Sequence, residues 1–424
     1  MIHRSHRHQR GVAALFVIVM LCFAMVLAVA VAHRNVFVEE QRSANELRAA
    51  SAFEAAEAGL EWALARVNDP ARLGPDCLPS RDVAALSFRQ RMIRIAVPAG
   101  DLTPQSWNDA GTPTPLQAAC VRGADGWNCS CPANGRPVLP LPGGLAVAPT
   151  FVVELAPSSR RDIVRVIATG CTRSGAGATC AASSDAANEA AARLEAAWTL
   201  VPALRAVPAA ALTVQGDVDI GAAPVGVHNA DAASGALAVH AGGRIAAAAL
   251  RVGAPPGASL GASLAANDAT LRAMPGDRFF ARTFGMGIEA WAAQPAARRV
   301  ECARDCARGL AAAIDAGIRL LVIDGDATIT GPAAFGSADD PVAIVVTGAL
   351  RLSGDVGIHG IVHGASLEWN DATPGTGFVS GAVLAGGTYR GNAAVDLRRD
   401  AGRLARLASA NGSFVRVNGS WKDC

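Results

Sequence analysis

A short basic tail, MIHRSHRHQR, is followed by 21 consecutive apolar residues from Val12 to Ala32. At 1.5 Å per residue this run makes about 31 Å of helix, close to the ~30 Å hydrocarbon thickness of a bilayer. The helical pattern then continues without a break. From Asn35 to Val67 there is no proline, and the only glycine is Gly59. Leu47, Ala50, Phe53, Ala56, Leu60, Leu64 and Val67 recur at spacings of three and four, which places them on one narrow apolar stripe. Glu39–Arg42 and Arg42–Glu46 are spaced to pair on the wetter side. Asn68-Asp69-Pro70 ends the run, because proline lacks the N–H and disfavours α geometry in the residue before it. The pattern predicts one helix from Val12 to Val67, about 84 Å long, apolar on all sides at first and amphipathic afterwards. A cleaved secretory signal would need a core of only 7–15 apolar residues before its small-residue site. Ala28, Ala30 and Ala32 mimic such a site, but the helix runs on past them.

After Pro70 the periodicity changes to short strands and turns. Phe151–Leu155, Asp162–Thr169 and Ala192–Val201 carry the β-branched and alternating side chains of strands, and they predict an antiparallel meander packed on the helix stripe. Ala186–Ala197 also reads as a short helix. From Leu212 onward, small strands are separated by glycine turns, with Gly-Asp at 216–217, 325–326 and 354–355. That texture predicts a β-helix-like or stacked-strand body, interrupted near residues 254–317 by a segment with a helix around Ala296–Ala313. The fold class expected is therefore α+β. Its parts are a leader at 1–11, the helix at 12–67, a β-rich head at 71–205 and a glycine-rich body at 206–424.

Composition narrows this further. Hydrophobic types make up 51% but aromatics only 5%, with 44 glycines and 23 prolines. This suits a turn-rich architecture of small side chains and excludes collagen-like, cysteine-scaffold and coiled-coil classes. The net charge is +2, and Arg4, Arg7 and Arg10 of the tail supply more than all of it. They place the N-terminus on the cytoplasmic side, weakly opposed by His33 and Arg34, so the body is expected outside the cytoplasm. A near-neutral remainder gives no field for nucleic acid, and no direct nucleic-acid binding is expected.

Cysteine usage agrees with export. Cys22 lies in the apolar run; Cys77, Cys120, Cys129, Cys131, Cys171, Cys180, Cys302, Cys306 and Cys424 are disulfide candidates. Cys171–Cys180 is the simplest loop; pairing among Cys77, Cys120, Cys129 and Cys131 is left open, and an odd count leaves one thiol over. Cys302 and Cys306 fall four apart, and a helix there would favour no local bridge. Cys129-x-Cys131 lacks the paired spacing of a zinc site. His359 and His363 lack the glutamate of a zinc-protease helix, and their glycine neighbours place them in strands or turns as a surface or locally bonded pair. Asp324 and Asp326 read as turn acids rather than calcium ligands. No nucleophile elbow, phosphate loop or dinucleotide fingerprint is present, so no catalytic residue, metal or cofactor is expected.

The junction Gln9-Arg10-Gly11-Val12-Ala13-Ala14-Leu15 resembles a class III prepilin leader. RGVAALFVIVML with EEQRSANELRAASAFEAAEAGLEWA further resembles the N-terminal domain of PilX-type minor pilins and pilus assembly proteins, over residues 9–67. The resemblance implies cleavage by prepilin peptidase after Gly11, methylation of the new amine at Val12, and storage in the inner membrane before assembly. It departs from the common prepilin pattern at the first mature position, Val12, and at the fifth, where Phe16 stands in place of glutamate. Phe16 avoids burying a charge but gives up the contact that a carboxylate makes with a neighbour's amine, which suits a rare tip or priming position. Implied partners are other minor and major pilins through the helix, with a large tip adhesin among the candidates. Two further readings are a minor pseudopilin at the tip of a type II secretion pseudopilus and a membrane-anchored β-helix enzyme acting on polysaccharide.

Overall fold

The structure, a computed structural model, describes residues 10–82, 84–139, 148–172, 180, 189–247 and 249–423. Arg4, Arg7 and Cys424 of the expectations above lie outside the described residues. Arg10–Asn68 is one unbroken helix of 59 residues, here called the spine. It extends the expected span slightly at both ends.

The spine is divided sharply by what it touches. Residues from Ala13 to Ala50 are exposed except for the half-buried Ala44 and Arg48. From Ala52 onward one face is buried: Ala52, Ala55, Ala56, Gly59, Leu60, Ala63 and Val67. The expected packing residues need correction here. Leu60 and Val67 are in the core, Phe53 and Leu64 are half-buried against it, and Leu47 is 72% exposed. Leu47 lies on the stripe but beyond the sheet, whose contact with the helix begins near Ala52. The helix comes close to the sheet at Gly170, where a Cβ would stand 2.1 Å from the Ala52 carbonyl oxygen. Small residues therefore set the helix–sheet distance, and larger ones fill its edges.

The head sheet runs in the order Gly126–Ser130, Gln117–Gly123, Thr150–Pro157, Ile163–Cys171, Ala191–Pro202 and Gly412–Arg416, antiparallel throughout. Alternation puts Phe151, Val153, Val164, Val166, Leu194, Ala196 and Trp198 into the core beneath the spine. The short-helix reading of Ala186–Ala197 gives way to the strand Ala191–Pro202; residues 186–188 are outside the described set. Asn68 ends the spine by acting as an extra strand residue. Its Nδ2 donates to the Phe414 carbonyl at 2.9 Å and its Oδ1 accepts the Phe414 N–H at 2.8 Å.

That pairing corrects the expected body at 206–424, because the chain does not remain in the body to its end. Gly412–Arg416 returns to the head and lies beside Ala191–Pro202, so the body is an insertion between two neighbouring head strands. An edge strand left unpaired in the head would expose its N–H and C=O groups, and the returning segment satisfies them.

The body is a stack of parallel strands, as the glycine-rich texture predicts. One interior ladder reads Leu321, Ile344, Val362, Val383, Leu212, Val239 and Leu264, each in register with the next. Spatial order is not chain order: Leu212–Val214, the first body strand in sequence, pairs with Phe378–Ala385 and begins mid-stack. The segment expected near 254–317 connects one end of the stack to the other. Instead of one helix around Ala296–Ala313 it forms helices Ala269–Arg272, Gly276–Phe284, Ile288–Ala292 and Ala307–Asp315, with Ala297–Arg299 joining the sheet edge. Phe280, Phe284 and Trp291 cover the outer side of Leu320, Val322, Ala343 and Val345. With both faces covered, Val342–Val346 is buried at every position and shows no alternation.

The recurring Gly-Asp has a local cause. Asp217 Oδ1 accepts the Arg244 N–H at 3.0 Å, Asp326 Oδ1 accepts that of Ala349 at 2.8 Å, and Asp355 Oδ1 accepts that of Thr373 at 2.7 Å. Each carboxylate satisfies a backbone donor at the next corner, so only adjacency in the stack matters and sequence spacing is free to vary. Asp324, the other predicted turn acid, pairs with Arg299.

Among the described residues four disulfides form: Cys77–Cys131, Cys120–Cys129, Cys171–Cys180 and Cys302–Cys306. The second joins register partners of a hairpin. The last corrects the expectation for Cys302 and Cys306. Their segment is not helical, the helix beginning only after Cys306, and the Cα atoms lie 4.9 Å apart. Cys22 is free and exposed on the apolar helix.

Candidate assembly surface

The exposed part of the spine is the most distinctive surface of the chain. From Leu15 to Val38 its large apolar side chains are each half or more exposed, Phe16 at 63%. This stretch contains the one helix segment, among the described residues, long and apolar enough to cross a membrane. Its most apolar 18-residue window has mean hydropathy 3.1 and none of it is buried. Apolar area on this scale is stable only in lipid or against other apolar surface. Gly11 and Val12 fall within the first turns of the helix. The only ion pair on the exposed portion, among the described residues, is Arg42–Glu46 at 3.0 Å, so Arg42 turns to Glu46 and the expected Glu39–Arg42 pair is not formed. At that exposure the pair is worth a few tenths of a kcal/mol.

Where the spine meets the head, polar groups hold its end. Arg89 Nε donates to the Val67 carbonyl at 2.9 Å and Nη2 to that of Gly412 at 2.8 Å, with the guanidinium 5.1 Å from the Phe414 ring. Burial pushes the Arg89 pKa down to about 10, which leaves it charged at neutral pH. The sequence reading missed Asn68 and Arg89 as anchors, since neither belongs to a motif. It placed Ala56 on the stripe but missed Ala52, Gly59 and Ala63 beside it, although the spacings of three and four that run through Ala56 carried the signal.

Among the described residues, the body's histidines and acids meet in separate pairs, His228 with Asp396 at 3.2 Å and His240 with Asp268 at 2.8 Å, and the residues singled out from the sequence do not converge. His359 and His363 share the strand Val356–Gly364, as the glycines suggested. His363, however, is not a surface residue: it is buried 5.0 Å from the Phe280 ring, between the sheet and the covering helices. Burial lowers its pKa from 6.5 to about 4. His359 is half-buried beside Phe378, its pKa lowered by burial and by the Arg403 charge. Cys129 and Cys131 are engaged in different disulfides. Among the described residues no three His, Cys, Asp or Glu side chains gather as metal ligands would.

The buried His363 makes a pH prediction. As acid is added the unfolded chain takes up this proton first, because its His titrates near 6.5 and the folded one near 4. Stability from the neutral imidazole is complete above pH 6.5 and is lost as pH falls toward 4, by ~3 kcal/mol. Denaturant midpoints measured from pH 7 to pH 4 should fall more steeply for the natural chain than for His363→Leu. Parallel curves would contradict the assignment.

The chain is thus a mixed α+β protein in which one membrane-length N-terminal helix is also the spine of a large β-rich body. No family model matches it, and no curated protein matches it. Among solved structures it is similar to the competence-associated pilin ComZ from Thermus thermophilus, at 11% identity over 89% of this chain and 97% of that one, with a TM-score of 0.22. At that score the likeness carries no argument.

Proposed function

We propose that the chain is a noncatalytic minor pilin or pilus assembly factor, of the PilX-like kind, that enters a type IV pilus initiation or tip complex and displays its β-rich body there. The observation that carries this reading is the division of the spine at Ala50. Below it a face of small residues is fixed to the head; above it the helix is apolar and exposed. A helix held this way can exchange lipid for neighbouring helices while the head stays folded. The body supports a terminal position, because it emerges between adjacent head strands and adds bulk that repeated subunits in a fibre would have to accommodate.

On this reading the tail arginines orient the precursor N-in and C-out in the inner membrane. Prepilin peptidase cuts after Gly11, and Val12 becomes the methylated first residue. Phe16 then lies among the apolar side chains of neighbouring pilins, and a tip adhesin is a candidate partner of the body. Sheared fibres carrying an end-specific label test the placement. The protein is expected at fibre ends, and uniform labelling along the fibre would overturn it. Deletion should remove surface pili; selective loss of protein secretion with pili intact would favour the pseudopilin reading.

A further inference from the structure

We propose that the cavity between the head and the inserted body binds a carboxylate group. The cavity has a volume of about 310 Å³, with Pro70, Arg72 and Arg89 on the head side and Ile318, Arg319 and Asp340 on the body side. The charges around it do not balance. Arg319 is paired with Asp340 at 2.5 Å. Asp69 is engaged by Arg66 at 3.4 Å and accepts the Ala71 N–H at 3.0 Å. Arg72 and Arg89 remain. Arg89 donates to two main-chain carbonyls and no carboxylate, and its Nη1 has no hydrogen-bond partner among the described residues. The Arg72 side chain has neither ion pair nor hydrogen bond among those residues.

Two guanidinium groups lining one partly enclosed space repel each other, and an anion between them removes that repulsion. A planar carboxylate matches the guanidinium fork in shape as well as charge. Apolar walls from Ile93, Ile95, Ile318 and Leu320 exclude water from one side of the site and suit the methylene stem of an acid. The volume lies at the small end of ligand sites, enough for a short dicarboxylic acid or one acidic side chain. Because the walls come from both units, an occupant would tie the head to the body. The assignment stands independently of the pilus reading.

Calorimetric titration of the full-length chain in detergent micelles tests it, with glutarate and a tetraglutamate peptide as probes and uncharged glutaramide as control. Saturable binding of glutarate would identify a free acid as sufficient. Binding of tetraglutamate alone would place the carboxylate on a protein segment. Either supports the site, provided that Arg72→Gln, whose side chain bonds to nothing else described, weakens it by about tenfold or more. Its melting temperature should match that of the natural chain, so that the loss is read as binding. Absence of saturable binding by both acids, equal heats from glutaramide, or unchanged affinity in Arg72→Gln would overturn the proposal.

Discussion

Gly381→Ala should severely destabilise the body, with an expected loss of at least ~4 kcal/mol against a total stability that in most domains is 5–15 kcal/mol. Gly360 and Gly381 are register partners on the long strands Val356–Gly364 and Phe378–Ala385, at φ of +141° and +150°. Each of these strands passes from one side of the stack to the next, and the glycine is where it turns. The first halves pair with Phe335 and Arg399 neighbours at the corner, while the second halves join the central ladder. A Cβ on Gly381 would sit 1.8 Å from the Gly360 carbonyl oxygen, and one on Gly360 would sit 1.9 Å from that of Val342. Neither obstacle is a side chain that can rotate away. Three successive backbones stack here without room between them, so relief would require separating the rungs and breaking their ladder. Gly325→Ala is the internal comparison: its φ is +76° but nothing lies within 4 Å of the added carbon, so only conformational strain of about 1 kcal/mol is expected. Chemical denaturation of the two variants measures the difference. Equal, small losses would mean that the glycine seam is not as tight as described.

This seam illustrates which parts of the fold the sequence discloses. Gly-rich short strands announce stacking, but not which rung meets which. The union of Leu212–Val214 with Val383–Ala385 joins segments far apart in the chain and leaves no periodic trace. The return of Gly412–Arg416 to the head is hidden for the same reason: a five-residue strand carries no label for its partner. By contrast the spine was legible almost to the residue, because both its apolar run and its stop at Asn68-Asp69-Pro70 are local signals. Leu47 shows the limit of periodicity. Spacing identifies a face, and only the extent of the sheet decides how much of that face is covered. His363 was misplaced for a related reason, since the helices that bury it belong to a distant insertion. Asn68 and Arg89 bond to Phe414 and Gly412, contacts set by tertiary closure.

On the proposed pilin reading, Ala24→Arg should weaken retention in the membrane and block entry into fibres while leaving the folded head and body unchanged. Ala24 lies in the middle of the apolar run and is exposed on a helix segment that touches nothing in the head. An arginine near the centre of a membrane helix costs about 2.5–3.5 kcal/mol on insertion scales, enough to shift partitioning by about a hundredfold. Snorkelling reduces such a penalty near helix ends, but the site is nine residues from His33 and thirteen from Gly11, so the side chain reaches neither interface easily. On the proposed reading the same charge would lie among neighbouring apolar helices without a counter-ion from its own chain, since residues 12–32 carry no acid. Both destinations that the proposed function gives the helix are therefore made unfavourable by one substitution. Thermal unfolding of the head and body should not move, because contacts with the sheet begin only at Ala52. Ala24→Leu controls for size and should preserve retention and incorporation. Membrane fractionation, fibre purification and melting curves on the three chains separate the outcomes. Normal fibre entry by Ala24→Arg would show that the exposed helix is not the assembly surface, and altered melting would show that it contributes to the fold.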